Sequence, residues 1–227
     1  ELYRVKEPFV ELMKTSMNTF LNAMTFPDKT YYPISSRNSK DFINLMRVYL
    51  DAVFRPLIYE KSEIFRQEGW HYELAEDGTL SRKGVVYNEM RGAFADADEL
   101  EEDAIMRALY PDTPYRFVSG GDPEHIPELT YERFLDFHRR FYSPSNAYVY
   151  LDGDVDIDEV LGILDGEYIS GFAAGERIPV PELQRPVRAG EQRVVYELPA
   201  EEDPRERYRL AWGRVAGEIT DRVRMTA

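Results

Sequence analysis

The chain has 227 residues, 43% of them hydrophobic, enough for one large domain or for one domain with part of another. Its 42 acidic side chains against 28 basic ones leave a formal charge of −14, a surface that repels nucleic acid and favours basic ligands. The absence of cysteine excludes disulfides, thiolate metal sites and cysteine nucleophiles, and no apolar run approaches the roughly 20 residues that cross a bilayer.

Pro8 to Leu21 carries apolar residues at Phe9, Leu12, Met13, Met17 and Phe20, a spacing that predicts a helix. Asn22 to Phe26 and Thr30 to Ile34 read as two extended runs joined by the turn Pro27-Asp28-Lys29. Pro33 has no N–H to donate, so its side of the second run belongs at an edge or a bulge. Asn38 or Ser39 caps the next helix, with Asp41 in its first turn. Phe42, Leu45, Met46, Tyr49, Leu50 and Val53 form its apolar stripe, and Pro56 ends it. A shorter helix is expected from Glu60 to Glu68, closed by Gly69, then a strand over Trp70 to Leu74 and a turn at Asp77-Gly78.

Further helices are expected over Gly84 to Phe94, Asp98 to Leu109, and from Thr130 to Pro144 with Phe134, Phe137, His138 and Phe141 inward. Asn146 to Leu151 alternates as a strand, and Asp156 caps a helix through Leu164. Beyond Phe172 the prolines at 179, 181 and 186 mark a linker over residues 173–190. Arg193 to Leu198 and Tyr208 to Trp212 look like strands opening a second unit over 191–227. Helices mixed with antiparallel-type strands predict an α+β layer fold, mostly antiparallel sheet packed on helices. Glu1 is not an initiator methionine and Asp221 to Ala227 reads as an interrupted helix, so both ends are expected to be cut.

Chemistry-bearing motifs are few. His71, His125 and His138 form no H-x-x-E-H or H-E-x-x-H pair, the spacings that bring two imidazoles to one helical face for zinc. The nearest approach, His125-Ile126-Pro127-Glu128-Leu129, has a proline that breaks a helix and no second histidine, so His125 reads as a loop residue. His71 and His138 sit among aromatics and read as packing or hydrogen-bonding partners. Glu89 stands on a helix with no other charge before Arg91, one turn after Val85. On the apolar side such a carboxylate needs a cation or donors, although the common fate of a helical glutamate is solvent.

Three stretches resemble the presequence protease subgroup of the insulinase (pitrilysin) family of zinc metallopeptidases. They are Val5-Lys6-Glu7-Pro8-Phe9-Val10-Glu11-Leu12 continuing through Asn18 to Pro33, Gly84-Val85-Val86-Tyr87-Asn88-Glu89-Met90-Arg91-Gly92, and Phe141-Tyr142-Ser143-Pro144-Ser145-Asn146-Ala147. They lie in order across about residues 3 to 172. The resemblance implies a zinc endopeptidase whose metal is held by the two histidines of H-x-x-E-H and a glutamate on a later helix, the position of Glu89. The middle glutamate of that motif is the general base on the zinc-bound water. In relatives the motif precedes the segment matching Val5 to Pro8, so it is expected before Glu1, leaving no catalytic residue in this chain. By the same resemblance, an arginine and a tyrosine that stabilise the transition state are expected after Ala227.

The strand matching Leu21 to Thr25 is, by the same resemblance, an edge that receives peptide as an added strand, with Asn22 and Ala23 contacting substrate. Residues 1–172 are then the main part of a first metallopeptidase unit, as in the mitochondrial-processing-peptidase-like fold. The expected cofactor is zinc in the complete protein and none in this chain alone, which is expected to be inactive. The expected partners are peptides, presequence-like ones included, and the rest of the parent chain, with neither nucleic acid nor membrane. A bacterial-type cytoplasmic location is expected ahead of an organelle matrix. The alternative is a non-catalytic family member that binds peptides or serves in assembly.

Overall fold

Helix α1 (Pro8–Thr15) stops at Thr15 and does not run on to Leu21. The polar run that follows bonds to backbone and competes with further helix: Thr15 Oγ1 donates to the Glu11 carbonyl, and Asn18 Nδ2 to the Leu12 carbonyl and Ser16 Oγ. Met17 and Phe20, expected on a buried helical face, are exposed, and Phe20 belongs to a strand. The computed structural model describes residues 8–175 and 177–218. The Val5 to Glu7 segment and the helix expected from Asp221 lie outside them.

Strands β1 (Asn18–Leu21) and β2 (Met24–Thr25) run into β3 (Thr30–Tyr31) and β4 (Ile34–Ser36), forming one antiparallel ribbon. Met24 faces Tyr31 and Leu21 faces Ile34, and a bulge at Thr19 shifts the register between Asn18 and Phe20. The turn closes with Phe26 N–H on the Lys29 carbonyl at 2.7 Å, as its proline and aspartate predict. Pro33 falls in the break between β3 and β4, where it contributes its carbonyl to Asn22 N–H.

Helix α2 (Ser39–Phe54) is the central element. Asn38 caps it by accepting from Asp41 N–H, and its last turn ends before Pro56. Leu45, Met46, Val48 and Tyr49 are buried, a wider face than the predicted stripe. Met46 meets Val160, Ile163, Leu164 and Tyr168 of α7 (Ile157–Ile163) and the π-turn Leu164–Ile169. That contact is fastened by a bidentate Arg47–Glu167 pair at 2.6 and 2.9 Å and by Tyr168 Oη donating to the Arg47 carbonyl.

A 3-10 turn (Leu57–Tyr59), α3 (Ser62–Ile64) and a π-turn (Phe65–Gly69) lead into the hairpin β5 (His71–Leu74) and β6 (Leu80–Lys83). After it come α4 (Val85–Ala93), α5 (Ala97–Leu109) and α6 (Tyr131–Phe141). A second core joins Tyr87 and Met90 of α4 to Ile126, with Trp70, Phe94 and Val118 around it. The described elements are thus helices with short antiparallel ladders, an α+β fold.

Three strand expectations do not hold. Residues 146–151, 193–198 and 208–212 join no ladder among the described residues, and Tyr148 and Tyr150 are more than four-fifths exposed. Alternation fits a chain to a sheet, but a strand exists only where a neighbour supplies the bonds. The last segment lies along α5, where Arg209 pairs with Asp98 and with Glu101. Phe137 is also exposed, against its expected inward position, because it borders a cavity of about 610 Å³ between α2 and α6.

His138 joins those two helices. The Val53 carbonyl, 2.8 Å from Nε2, can only accept, so Nε2 carries a hydrogen. Nδ1 shares a hydrogen bond with Tyr59 Oη at 2.7 Å, which it accepts when the imidazole is neutral. Burial holds its pKa below the ordinary 6.5, opposed by the bond to Val53. The folded chain therefore takes up this proton less readily than the unfolded one. Stability from this group is present above the unfolded value and lost as pH falls through the lower folded one. Urea midpoints should decline from about pH 7 to about pH 5, and His138→Gln should shallow that decline relative to wild type.

Candidate functional site

Two places carry the residues singled out in the sequence, and each is set by local geometry. The first is α4. The β5–β6 hairpin turns at Gly78 (φ 83°), where Gly78 N–H donates to the Ala75 carbonyl. The chain then passes through Gly84 at φ 147°, a conformation that L side chains rarely adopt. A Cβ at Gly84 would lie 2.1 Å from the Gly69 carbonyl oxygen, so the bare Cα of Gly84 lets the start of α4 press onto the end of the preceding π-turn. The first helical bond runs from Asn88 N–H to the Gly84 carbonyl.

That entry fixes which way α4 faces. Tyr87 and Met90 turn inward, while Val85, Asn88 and Glu89 turn outward. Of the two settings open to a helical glutamate, Glu89 takes the solvent one: it stands on the exposed face and carries no burial penalty that a partner must offset. Val85 is an exposed apolar neighbour on that face, and a Cβ added at Gly92 meets nothing within 4 Å. The face thus combines an acceptor carboxylate, an apolar residue and bare backbone.

The second place is the ribbon. Asn22 N–H points inward to the Pro33 carbonyl at 3.1 Å, so by strand alternation Ala23 N–H points to the open side. There it is taken by the Asn22 side chain itself, Oδ1 accepting at 2.8 Å. Both residues are exposed, and β1 and β2 each have one ladder partner among the described residues. A self-bonded amide on an unpaired edge is one way a free edge is kept from pairing indiscriminately.

The described residues do not bring Glu89 into a ligand cluster. No group of three His, Asp or Glu among them stands where it could hold a metal, and a zinc site takes at least three protein ligands. These residues by themselves do not fit zinc. The histidines are engaged elsewhere: His71 Nδ1 with the Arg66 carbonyl, His125 with Glu128, and His138 as described. The Glu128 carboxylate raises the exposed His125 pKa. The two places also pack on different neighbours, α4 on the 65–69 turn and β6, and β1 on α1, α2 and β4.

One link the sequence did not reveal joins the ribbon to the segment that follows α5. Tyr115, on the 3-10 turn Pro114–Arg116 that packs on α5, donates its hydroxyl to Asp28 Oδ2 at 2.6 Å. Tyr115 chiefly, with Lys29 adding to it, draws the Asp28 carboxyl below its usual range. Deeper in, Tyr32 and Tyr142 share a hydroxyl contact at 2.9 Å, and burial pushes the Tyr32 phenol well up.

Comparison with known proteins places this architecture. Residues 128–214 match the family model described as the peptidase M16 inactive domain. The chain is 47% identical over 221 residues to Protein HypA of Clostridium perfringens, covering 96% of this chain and 23% of that one. It is 51% identical over 173 residues to presequence protease 1, chloroplastic/mitochondrial, of Arabidopsis thaliana, covering 76% of this chain and 16% of the relative. To the mitochondrial presequence protease of Drosophila melanogaster it is 46% identical over 173 residues, 74% and 16% of the two chains. The chain thus spans between about a sixth and a quarter of these relatives' length. The segment matched as an inactive domain starts after α4, so that description does not include Glu89.

Substituting Gly84 tests how α4 is set. Gly84→Ala adds a disfavoured backbone conformation to a clash with the Gly69 carbonyl, and should cost about 3 kcal/mol of unfolding free energy by urea titration. Gly92→Ala, with open space around it, should cost nothing or stabilise slightly, by up to about 1 kcal/mol.

Proposed function

The chain belongs to the peptidase M16, or insulinase, family, and we propose that the protein containing it is a zinc-dependent endopeptidase of unfolded peptides in which Glu89 is one metal ligand. The observation that carries this is the outward face of α4. Glu89 stands there beside exposed Val85 and the open surface at Gly92, a face on which a second helix can lie close. We assign to such a partner element, outside the described residues, the two histidines and the general base that complete the site. Zinc, when bound, would supply an activated water and polarise the scissile carbonyl.

This chain's own part is binding and placement. An extended peptide adds to the open side of the ribbon, and Asn22 hands the Ala23 N–H over to a carbonyl of the peptide. Main-chain bonding of this kind tolerates many sequences, as a general peptide-degrading enzyme requires. The −14 charge favours basic, presequence-like peptides. In this account residues 1–172 form most of the first catalytic-type unit, 173–190 a linker and 191–227 the start of its successor. A cytoplasmic location, in keeping with the cysteine-free composition, is part of the same proposal. No helix among the described residues is long and apolar enough to cross a membrane.

A non-catalytic, peptide-binding member is the second reading, and the match of residues 128–214 to the inactive-domain model is the observation on its side. The two are separated by Glu89→Gln in the full-length protein. The enzyme reading expects zinc content to fall well below one per chain and kcat/KM on a quenched peptide to drop at least about 100-fold. Peptide affinity measured with a chelator present should stay within about twofold. Zinc and cleavage retained in Glu89→Gln would remove Glu89 from the site, and a wild-type protein without either would favour the second reading.

A further inference from the structure

A two-stranded ribbon is marginally stable by itself, so an edge that receives a peptide must be held by what surrounds it. The 18–36 ribbon is pinned at both ends by aspartates. At its base Asp41 accepts from Met17 N–H at 3.1 Å through Oδ1 and from Ser36 Oγ at 2.7 Å through Oδ2. At its tip Asp28 accepts from Tyr115 at 2.6 Å through Oδ2 and from Lys29 Nζ at 3.3 Å through Oδ1. The open edge at Asn22 and Ala23 lies between the two pins.

The tip pin is the one that reaches a distant part of the chain. Tyr115 is 87 positions from Asp28, its ring leans on Tyr110 at 5.9 Å, and Tyr110 closes α5. Helix α5 follows α4 through a turn in which Ala95 N–H bonds the Gly92 carbonyl and Asp96 N–H the Ala93 carbonyl. Three residues after Tyr115, Val118 packs against the core that Tyr87 and Met90 of α4 form with Ile126. The hydroxyl–carboxylate bond therefore ties the ribbon to a segment that is itself seated on the helix carrying Glu89. The base pin has no such reach, because Asp41 belongs to α2, the ribbon's immediate support.

We propose that Tyr115 and Asp28 are positioning residues that hold the ribbon extended, at a fixed height relative to α4, for an incoming peptide strand. This rests on the edge-docking part of the function proposed above. Neither side chain touches the peptide. The bond removes a pivoting motion that peptide binding would otherwise have to freeze, and so raises affinity by preorganisation.

The test uses the full-length protein, a fluorescein-labelled unstructured Arg-rich peptide, and a chelator to prevent cleavage. Tyr115→Phe should weaken the anisotropy Kd about fivefold, with Asp28→Ala alike and the double variant no worse than either single one. Asp28→Asn, whose amide oxygen still accepts, should fall between Asp28→Ala and wild type. With metal present, KM should rise by the same factor while kcat stays within about twofold. An unchanged Kd in Tyr115→Phe, even with a lowered melting temperature, overturns the proposal, since a purely structural bond moves stability alone. Ala23→Pro, which removes the outward N–H, separates this from the premise. If it also leaves Kd unchanged, edge docking falls and the latch with it. If it weakens Kd while Tyr115→Phe does not, the latch alone falls.

Discussion

The contact of Gly84 with the Gly69 carbonyl is the constraint from which the arrangement of the α4 unit follows. Two backbones meet where no side chain fits, and the φ of 147° at Gly84 turns the chain from β6 into α4 at one defined angle. Rotating the helix about its axis would withdraw Tyr87 and Met90 from the core they share with Ile126. Core packing and backbone contact thus agree on one orientation, and Glu89 is outward as a consequence. An exposed carboxylate is ordinary on most helices. Here it shares its face with a bare glycine surface and an exposed valine, the face on which the proposed partner element would lie.

The ribbon is organised by a different rule. Its strands are short, its ladder is interrupted at Pro33 and bulged at Thr19, and its stability comes from side chains reaching in from elsewhere. Asp41 from α2 and Tyr115 from the turn after α5 hold its ends, and Tyr142 beyond α6 meets Tyr32 near its middle. The Asn22 carboxamide meanwhile occupies the outward Ala23 amide, the group that the proposed peptide strand would take over.

Much of this was legible in the sequence wherever the cause is local. The Asn38 cap, the stop at Pro56, the turn at Pro27 to Lys29 and the bounds of α4 all follow from residues within a few positions of each other. Met17 and Phe20 misled because helical spacing persisted through a run whose serine, threonine and asparagine side chains bond the backbone instead. The valines and tyrosines of 146–151 and 193–198 suit a strand, but strand pairing depends on a neighbour that no local pattern specifies. Glu89 was singled out by the resemblance of its stretch to a family motif, whereas its outward direction needed the glycine contact. The bond of Tyr115 to Asp28 had no signal in the sequence, since neither residue sits in a motif and 87 positions separate them.

The central claim is that the outward carboxylate of α4 is a metal ligand in the complete protein. Anomalous diffraction at the zinc edge from crystals of the full-length protein tests it most directly. The account predicts a single strong peak at about 2.0 to 2.2 Å from a Glu89 carboxylate oxygen, with two imidazole nitrogens completing the protein ligands. A zinc peak held by other residues, with Glu89 remaining in solvent, would contradict it.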